Sequence, residues 1–324
     1  MHVINLHTLC HYYDLGTPVS DLIDVAGGFQ HEIARLDTGQ GSYALKRLQQ
    51  RLVKQQGLHR FTANEIYASA LQAGGIPACT ALRPDAPLLT LAGRHYLVYP
   101  WLNGKSLAKA ELTTRQAEMI GATLAAIHQF NYQAPQVRWP DIINLPDLSG
   151  WSQYKDWLKT SFLKTALHDS LAIIQDVIAA YRMMQPMLAQ QTWVYSHSDL
   201  TPANVIWQSE QATLVDWESA GPIMPGQDVV ATALNWSLDE QGSVRWPLFN
   251  AFLQGFSKIM PLPAISKMSI IATFIDWLNW IVFNLEQVFD VNLSEAVRAR
   301  CARQAEYSLM ALQQTYAVRN SLLN

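Results

Sequence analysis

The stretch His197-Ser198-Asp199-Leu200-Thr201-Pro202-Ala203-Asn204, followed by Asp216-Trp217-Glu218, narrows the possible folds of this 324-residue chain more than any other feature. One Asp stands five residues before an Asn, and a second Asp stands twelve residues after that Asn. The spacing fits a short loop presenting one acid, then a β-strand delivering another acid at its end. Ala212-Thr-Leu-Val-Asp216 is a short apolar run ending in that acid. Phosphoryl transfer from a nucleotide needs this set of groups: a carboxylate to orient and deprotonate an acceptor hydroxyl, and two oxygen ligands for Mg²⁺.

The remaining chain separates into a β-rich first third and a helix-rich remainder. Glu32 to Leu36 and Tyr43 to Leu48 read as strands joined by the turn Thr38-Gly-Gln-Gly41. A helix is expected over Thr62 to Ala73, ending at Gly74-Gly75 with Pro77 beyond. Leu88 to Leu91 and Tyr96 to Tyr99 form a second hairpin around Ala92-Gly93-Arg94. After Pro100-Trp101-Leu-Asn-Gly104 the character changes. Ile120, Leu124 and Ile127 fall on one face of a helix within Thr113 to Phe130, residues 152 to 190 read as mostly helical, and helices resume near Asp228. The expected organisation is a β-rich lobe over 1–99, a hinge at 100–104, and a helical lobe over 105–324.

Asp199 is the candidate catalytic base, mounted on a loop backed by Pro202. His197 is read as a buried residue shaping that loop. Asn204 and Asp216 are candidate Mg²⁺ ligands, because Mg²⁺ prefers a few hard oxygen donors completed by water and substrate phosphates. Glu218 either assists the metal or orients the loop. Gly27-Gly28 is a glycine turn placed before Lys46, and glycines let backbone N–H groups approach phosphate. Thr62-Ala-Asn-Glu65 also matches a capping box, in which Glu65 would bond back to its own helix start.

These motifs resemble the catalytic core of the aminoglycoside phosphotransferase and choline kinase group, within the protein-kinase-like fold. The resemblance rests on Val194-Tyr-Ser-His197-Ser-Asp199-Leu-Thr-Pro-Ala-Asn204 and Leu214-Val-Asp216-Trp-Glu218-Ser-Ala-Gly221. His-Ser-Asp stands where that group usually carries His-Gly-Asp or His-Asn-Asp. The resemblance implies an α+β, bilobal protein-kinase-like fold. It implies that Lys46 grips the phosphates of ATP, that Glu65 pairs with Lys46, and that Gly27 and Gly28 cover the phosphates. It further implies that the segment around Tyr99 and Trp101 meets adenine, and that Asp228 braces the catalytic loop. The expected activity is ATP-dependent, Mg²⁺-assisted phosphoryl transfer to a hydroxyl of a small molecule, such as an aminoglycoside, choline, ethanolamine or homoserine. A catalytically silent nucleotide-binding scaffold is the alternative. A protein kinase is disfavoured by the short run from Asp216 to Asp228, which leaves little room for an activation segment.

Composition closes off other classes. A net charge of −3 without a basic stripe argues against nucleic acid. Cys10, Cys79 and Cys301 are far apart, which fits a reducing compartment and excludes a cysteine-based zinc site. The N-terminus lacks a basic region followed by a long apolar run, and Ile270 to Phe283 is interrupted by Asp276 and Asn279, so a cytoplasmic protein without a membrane span is expected. Acceptor-binding residues are expected after Asp228, among Trp236, Trp246, Trp277, Trp280, Asp239, Glu240, Asp276, Glu286 and Asp290. Trp faces attract cations and carboxylates pair with amines.

Overall fold

The computed structural model describes residues 4–25, 31–133 and 162–323. The chain divides into two compact units, Met1–Leu107 with Ala203–Ala220, and Ala108–Pro202 with Gly221–Asn324.

The first unit is built on a five-stranded antiparallel sheet of order β1-β2-β3-β5-β4, comprising β1 (Ile23–Asp24), β2 (Glu32–Thr38), β3 (Gly41–Arg47), β4 (Leu89–Leu91) and β5 (Arg94–Pro100). The β2–β3 register pairs Thr38 with Gly41 and Ile33 with Lys46. Between β4 and β5, Ala92 and Gly93 both have positive φ (47° and 71°), the signature of the type I′ turn that matches strand twist. Side chains alternate across this sheet. Leu36, Leu45, Tyr96 and Val98 pack with Leu9, Cys10 and Tyr13 of helix α1 (Leu6–Tyr13). Leu97 faces the other way, packing with Leu48, Ala81 and Phe61. Lys46, next to Leu45 and paired with Leu97, therefore faces this second side.

Gly57, at φ 79°, separates α2 (Gln50–Gln56) from α3 (Leu58–Ala73). Helix α3 thus starts four residues before the expected Thr62, because Phe61, Tyr67, Ala68 and Leu71 supply a continuous buried face. The hairpin of β7 (Val205–Gln208) and β8 (Gln211–Leu214) joins this unit through backbone bonds. Trp207 exchanges N–H···O bonds with Lys105, while Leu214 donates to Pro77 O and accepts from Cys79. A Cβ at Gly104 would lie 2.5 Å from Trp207 O, so only glycine permits this approach.

The second unit is mainly helical, with a two-stranded ribbon of β6 (Val194–Ser196) and β9 (Gly221–Ile223). Its helices are α4 (Thr114–Phe130), α5 (Phe162–Met184), α6 (Pro225–Ser237), α7 (Trp246–Ser257), α8 (Lys267–Phe289) and α9 (Glu295–Ala317). The part of the expected helical stretch at 152–161 lies outside the described residues. Helices α4 and α7 touch backbone to backbone. A Cβ at Gly121 would sit 2.0 Å from Phe252 O, and one at Gly255 would sit 1.9 Å from Glu118 O. Thr113 caps α4 in a capping box with Gln116, and Asn131 ends it in the left-handed conformation. Helix α8 is longer than the apolar run read from sequence. By length and composition it passes as a span (mean hydropathy 1.4), yet 67% of its apolar window is buried within the fold, as in a core helix.

Candidate active site

The twelve-residue spacing between Asn204 and Asp216 is a hairpin read end to end. Strands β7 and β8 pair Val205 with Leu214, and Val215 N–H donates to Asn204 O at 3.0 Å. Asn204 and Asp216 therefore flank the open end of one hairpin in the first unit. Asp216 adopts φ 65°, ψ 63°, a left-handed conformation that Asp tolerates better than most residues.

Asp216 Oδ1 accepts a hydrogen bond from Lys46 Nζ at 2.7 Å, and Glu218 Oε2 accepts one from the same ammonium at 2.8 Å. Lys46 is almost fully enclosed, its side chain 7% exposed, whereas Asp216 keeps 38% of its side chain open. Burial works against the Lys46 charge, but the two carboxylates outweigh it and raise the ammonium above its ordinary range. Glu218 shows the reverse balance: burial pushes its carboxyl up, and Lys46 and His31 pull it well below the usual carboxylate range.

His31 completes this cluster, and sequence reasoning missed it. Its Nδ1 accepts Gln49 N–H at 3.0 Å, which puts the ring proton on Nε2. That Nε2–H donates to Glu218 Oε2 at 2.6 Å. The signal for His31 is only its place at the start of β2, beyond the glycine turn, and no motif marks it.

Glu65 is buried beside this cluster with neither of its expected partners. Its Oε1 accepts Tyr99 Oη–H at 2.6 Å and its Oε2 accepts Ala81 N–H at 2.7 Å. The direct Lys46–Glu65 ion pair is not formed, because Lys46 already has two carboxylates and both Glu65 oxygens are engaged. The capping box is not formed either, since α3 begins at Leu58 and leaves Thr62 inside the helix. Burial raises the Glu65 carboxyl above its ordinary value, against its two hydrogen bonds and the field of Lys46. Tyr99 thus directs its side chain to Glu65. Trp101 N–H donates to Ser42 O at 3.1 Å, and its ring lies under the Arg35 guanidinium at 5.1 Å. Gly27 and Gly28 lie outside the described residues.

Asp199 belongs to the second unit, exposed on the loop after β6. The loop is set by local bonds: Ser198 takes φ 61°, and Thr201 N–H donates to Asp199 O at 2.8 Å. His197 is fully buried, as expected of a shaping residue. Trp236, grouped with the acceptor aromatics by sequence, is instead wholly buried in α6, and its Nε1–H donates to Leu200 O at 2.9 Å. It braces the loop that carries Asp199. Asp228 sits in the first turn of α6, past the cap position Met224, and accepts His128 Nε2 at 2.7 Å. Among the other acceptor candidates, Asp239 accepts Gln241 and Ser243 N–H, and Asp290 accepts Asn292 N–H, so both carboxylates fold their own turns. Asp276 is different: exposed on α8, it accepts Gln227 Nε2–H at 2.7 Å.

Solved structures share this fold across nearly the whole chain. A spectinomycin phosphotransferase matches with TM-score 0.68 at 14% identity, covering 97% of this chain and 98% of the other. A microcompartment-associated aminopropanol kinase matches with TM-score 0.64 at 17% identity, covering 98% and 99%. A homoserine kinase from Caulobacter vibrioides is 27% identical over 261 residues, 79% of this chain and 77% of that protein. The phosphotransferase enzyme family matches residues 21–262, a span from β1 past the catalytic loop and the Asp216 hairpin into the helical unit, and the chain belongs to that family.

Proposed function

We propose that this chain transfers the γ-phosphoryl group of ATP to a hydroxyl of a small, amine-bearing molecule. The observation that carries the reading is the enclosed Lys46, held between Asp216 and Glu218 at the open end of the hairpin that also carries Asn204. In this reading Lys46 pairs with the nucleotide phosphates. Asp199 takes the acceptor's hydroxyl proton as that oxygen bonds the γ-phosphorus and ADP departs. Such a reaction depends mainly on positioning and on neutralising charge.

The donor set fits Mg²⁺. Asn204 offers an amide oxygen and Asp216 a part-exposed carboxylate, both hard donors on one rigid hairpin. Among the described residues no group of His, Cys, Asp and Glu is arranged to hold a metal with protein ligands alone, which suits an ion that keeps waters and substrate phosphates. Bound there, Mg²⁺ would neutralise phosphate charge. A cytosolic location fits a nucleotide-using enzyme whose three cysteines are buried free thiols.

The test is ADP release across an acceptor panel of homoserine, aminopropanol, ethanolamine and choline, with the amine-free hydroxybutyrate, propanediol and ethylene glycol beside them. Homoserine and aminopropanol enter because the similar kinases are named for them. Acceptor-dependent ADP release is expected, falling by roughly 10²–10⁴-fold in Asp199→Ala, the usual weight of a general base, with ATP still bound. Asp199→Ala at near-normal turnover would remove the assigned base. ATP binding without turnover on any acceptor would point to a silent scaffold.

A further inference from the structure

Helix α8 is buried without interruption from Met268 to Ile275, and at Asp276 it opens to solvent. Asp276 is oriented by a residue that is itself enclosed. Gln227, 2% exposed, donates from Nε2 to Asp276 Oδ2 at 2.7 Å. The Oε1 of the same amide is buried without a partner among the described residues, an arrangement that costs stability and leaves the amide committed to the carboxylate. No Lys, Arg or His compensates Asp276 among the described residues. Among the described residues the charge that bears on it is the like charge of Asp228, which is itself answered by His128.

Asp276 is reached by solvent, yet burial lifts its carboxyl to about 7, with Asp228 adding to the rise and the Gln227 bond opposing it. Trp280, one helical turn further on, is half-buried and stacks on Phe283 with ring centroids 5.4 Å apart and planes 13° from parallel. Trp277 is half-buried, its ring tilted against Phe274 at 5.8 Å. A carboxylate without a counter-charge among the described residues, one helical turn from an indole, is a surrounding an organic ammonium selects.

We propose that Asp276, set by Gln227, is the specificity residue that binds a cationic amine of the acceptor. The assignment rests on the small-molecule kinase reading above. Asp276 and the base Asp199 belong to the same unit, and α6 ties them together. Gln227 near its start holds Asp276, and Trp236 near its end holds the catalytic loop at Leu200. A rigid element between the two groups would keep the reacting hydroxyl in register with the bound amine.

The test compares each amine of the panel with its amine-free partner in the wild type, Asp276→Asn and Asp276→Glu, with the KM for ATP as the control for folding. In the wild type each amine is preferred. Asp276→Asn is expected to raise the KM of the amine by about tenfold or more, the usual weight of one charge-assisted contact, and to abolish the preference. Asp276→Glu, which keeps the charge, is expected to retain part of it. An Asp276→Asn enzyme that still prefers the amine, or that loses amine and amine-free acceptors equally, overturns the assignment. A wild type that releases ADP only with amine-free alcohols overturns it while leaving the kinase reading intact. No ADP release with any acceptor removes both.

Discussion

Glu218→Gln tests what holds Lys46 in place. The substitution keeps the shape of the side chain and removes its charge. Two bonds change character, Lys46 Nζ–H to Oε2 at 2.8 Å and His31 Nε2–H to Oε2 at 2.6 Å. A hydrogen bond to a charged group contributes about 1.5–3 kcal/mol and a neutral one about 0.5–1.5 kcal/mol; the His31 bond becomes neutral while the Lys46 bond keeps its charged donor, so the loss is roughly 1–2 kcal/mol. The larger penalty of about 3–5 kcal/mol for stranding a buried charge is not reached, because Asp216 still neutralises Lys46 at 2.7 Å. The effect carries a pH signature. The Glu218 carboxyl is depressed in the folded state, so its contribution is present above its ordinary value of 4.5 and is lost as pH falls towards the folded value. Urea unfolding of wild type and Glu218→Gln, followed through the first unit at about pH 7 and again at about pH 3.5, should show the full difference at the higher pH and a smaller one at the lower. Glu65→Gln serves as the comparison, and should leave the KM for ATP closer to wild type than Glu218→Gln does. Equal urea midpoints at both pH values, or a larger rise in ATP KM from Glu65→Gln, would refute the view that Glu218 anchors Lys46.

Other outcomes follow from single contacts. Gly255→Ala drives a Cβ to 1.9 Å from Glu118 O. Overpacking of about 3 kcal/mol should outweigh the roughly 1 kcal/mol helical gain of Ala over Gly, and thermal unfolding would read the net loss. Trp236→Phe removes the N–H that meets Leu200 O and should lower kcat while leaving the KM for ATP unchanged, as steady-state kinetics would show. Asp276→Asn should raise the melting temperature at alkaline pH. A carboxyl lifted to about 7 in the fold loses stability as pH rises from its unfolded value through 7, so the gain over wild type should vanish near pH 4.

The loop that bears Asp199 and the spacing of Asn204 and Asp216 were legible in the chain because both are local features. Asn204 and Asp216 are spaced by one hairpin, and backbone geometry converts that spacing directly into position. The division into β-rich and helical parts was legible for the same reason, since period-two and helical patterns reflect which face of each element is buried. Helix α3 was misjudged at its start, where Gly57 rather than Thr62 sets the boundary.

Partnerships between distant residues were decided by tertiary structure alone. Lys46 lies 172 residues from Glu218, and His31 lies 187 from it. Nothing local in the sequence could rank Glu218 above Glu65 as the partner of Lys46. The ranking depends on which carboxylate has oxygens free once Tyr99 and Ala81 have taken those of Glu65. Trp236 and Asp276, both expected on the acceptor side, part ways for the same reason. An indole and a carboxylate on apolar helices read alike until packing buries one against Leu200 O and leaves the other in solvent, held by Gln227. Spacing along the chain determined the hairpin that carries Asn204 and Asp216, and burial, which depends on every element packed around a residue, determined which side chains partner Lys46.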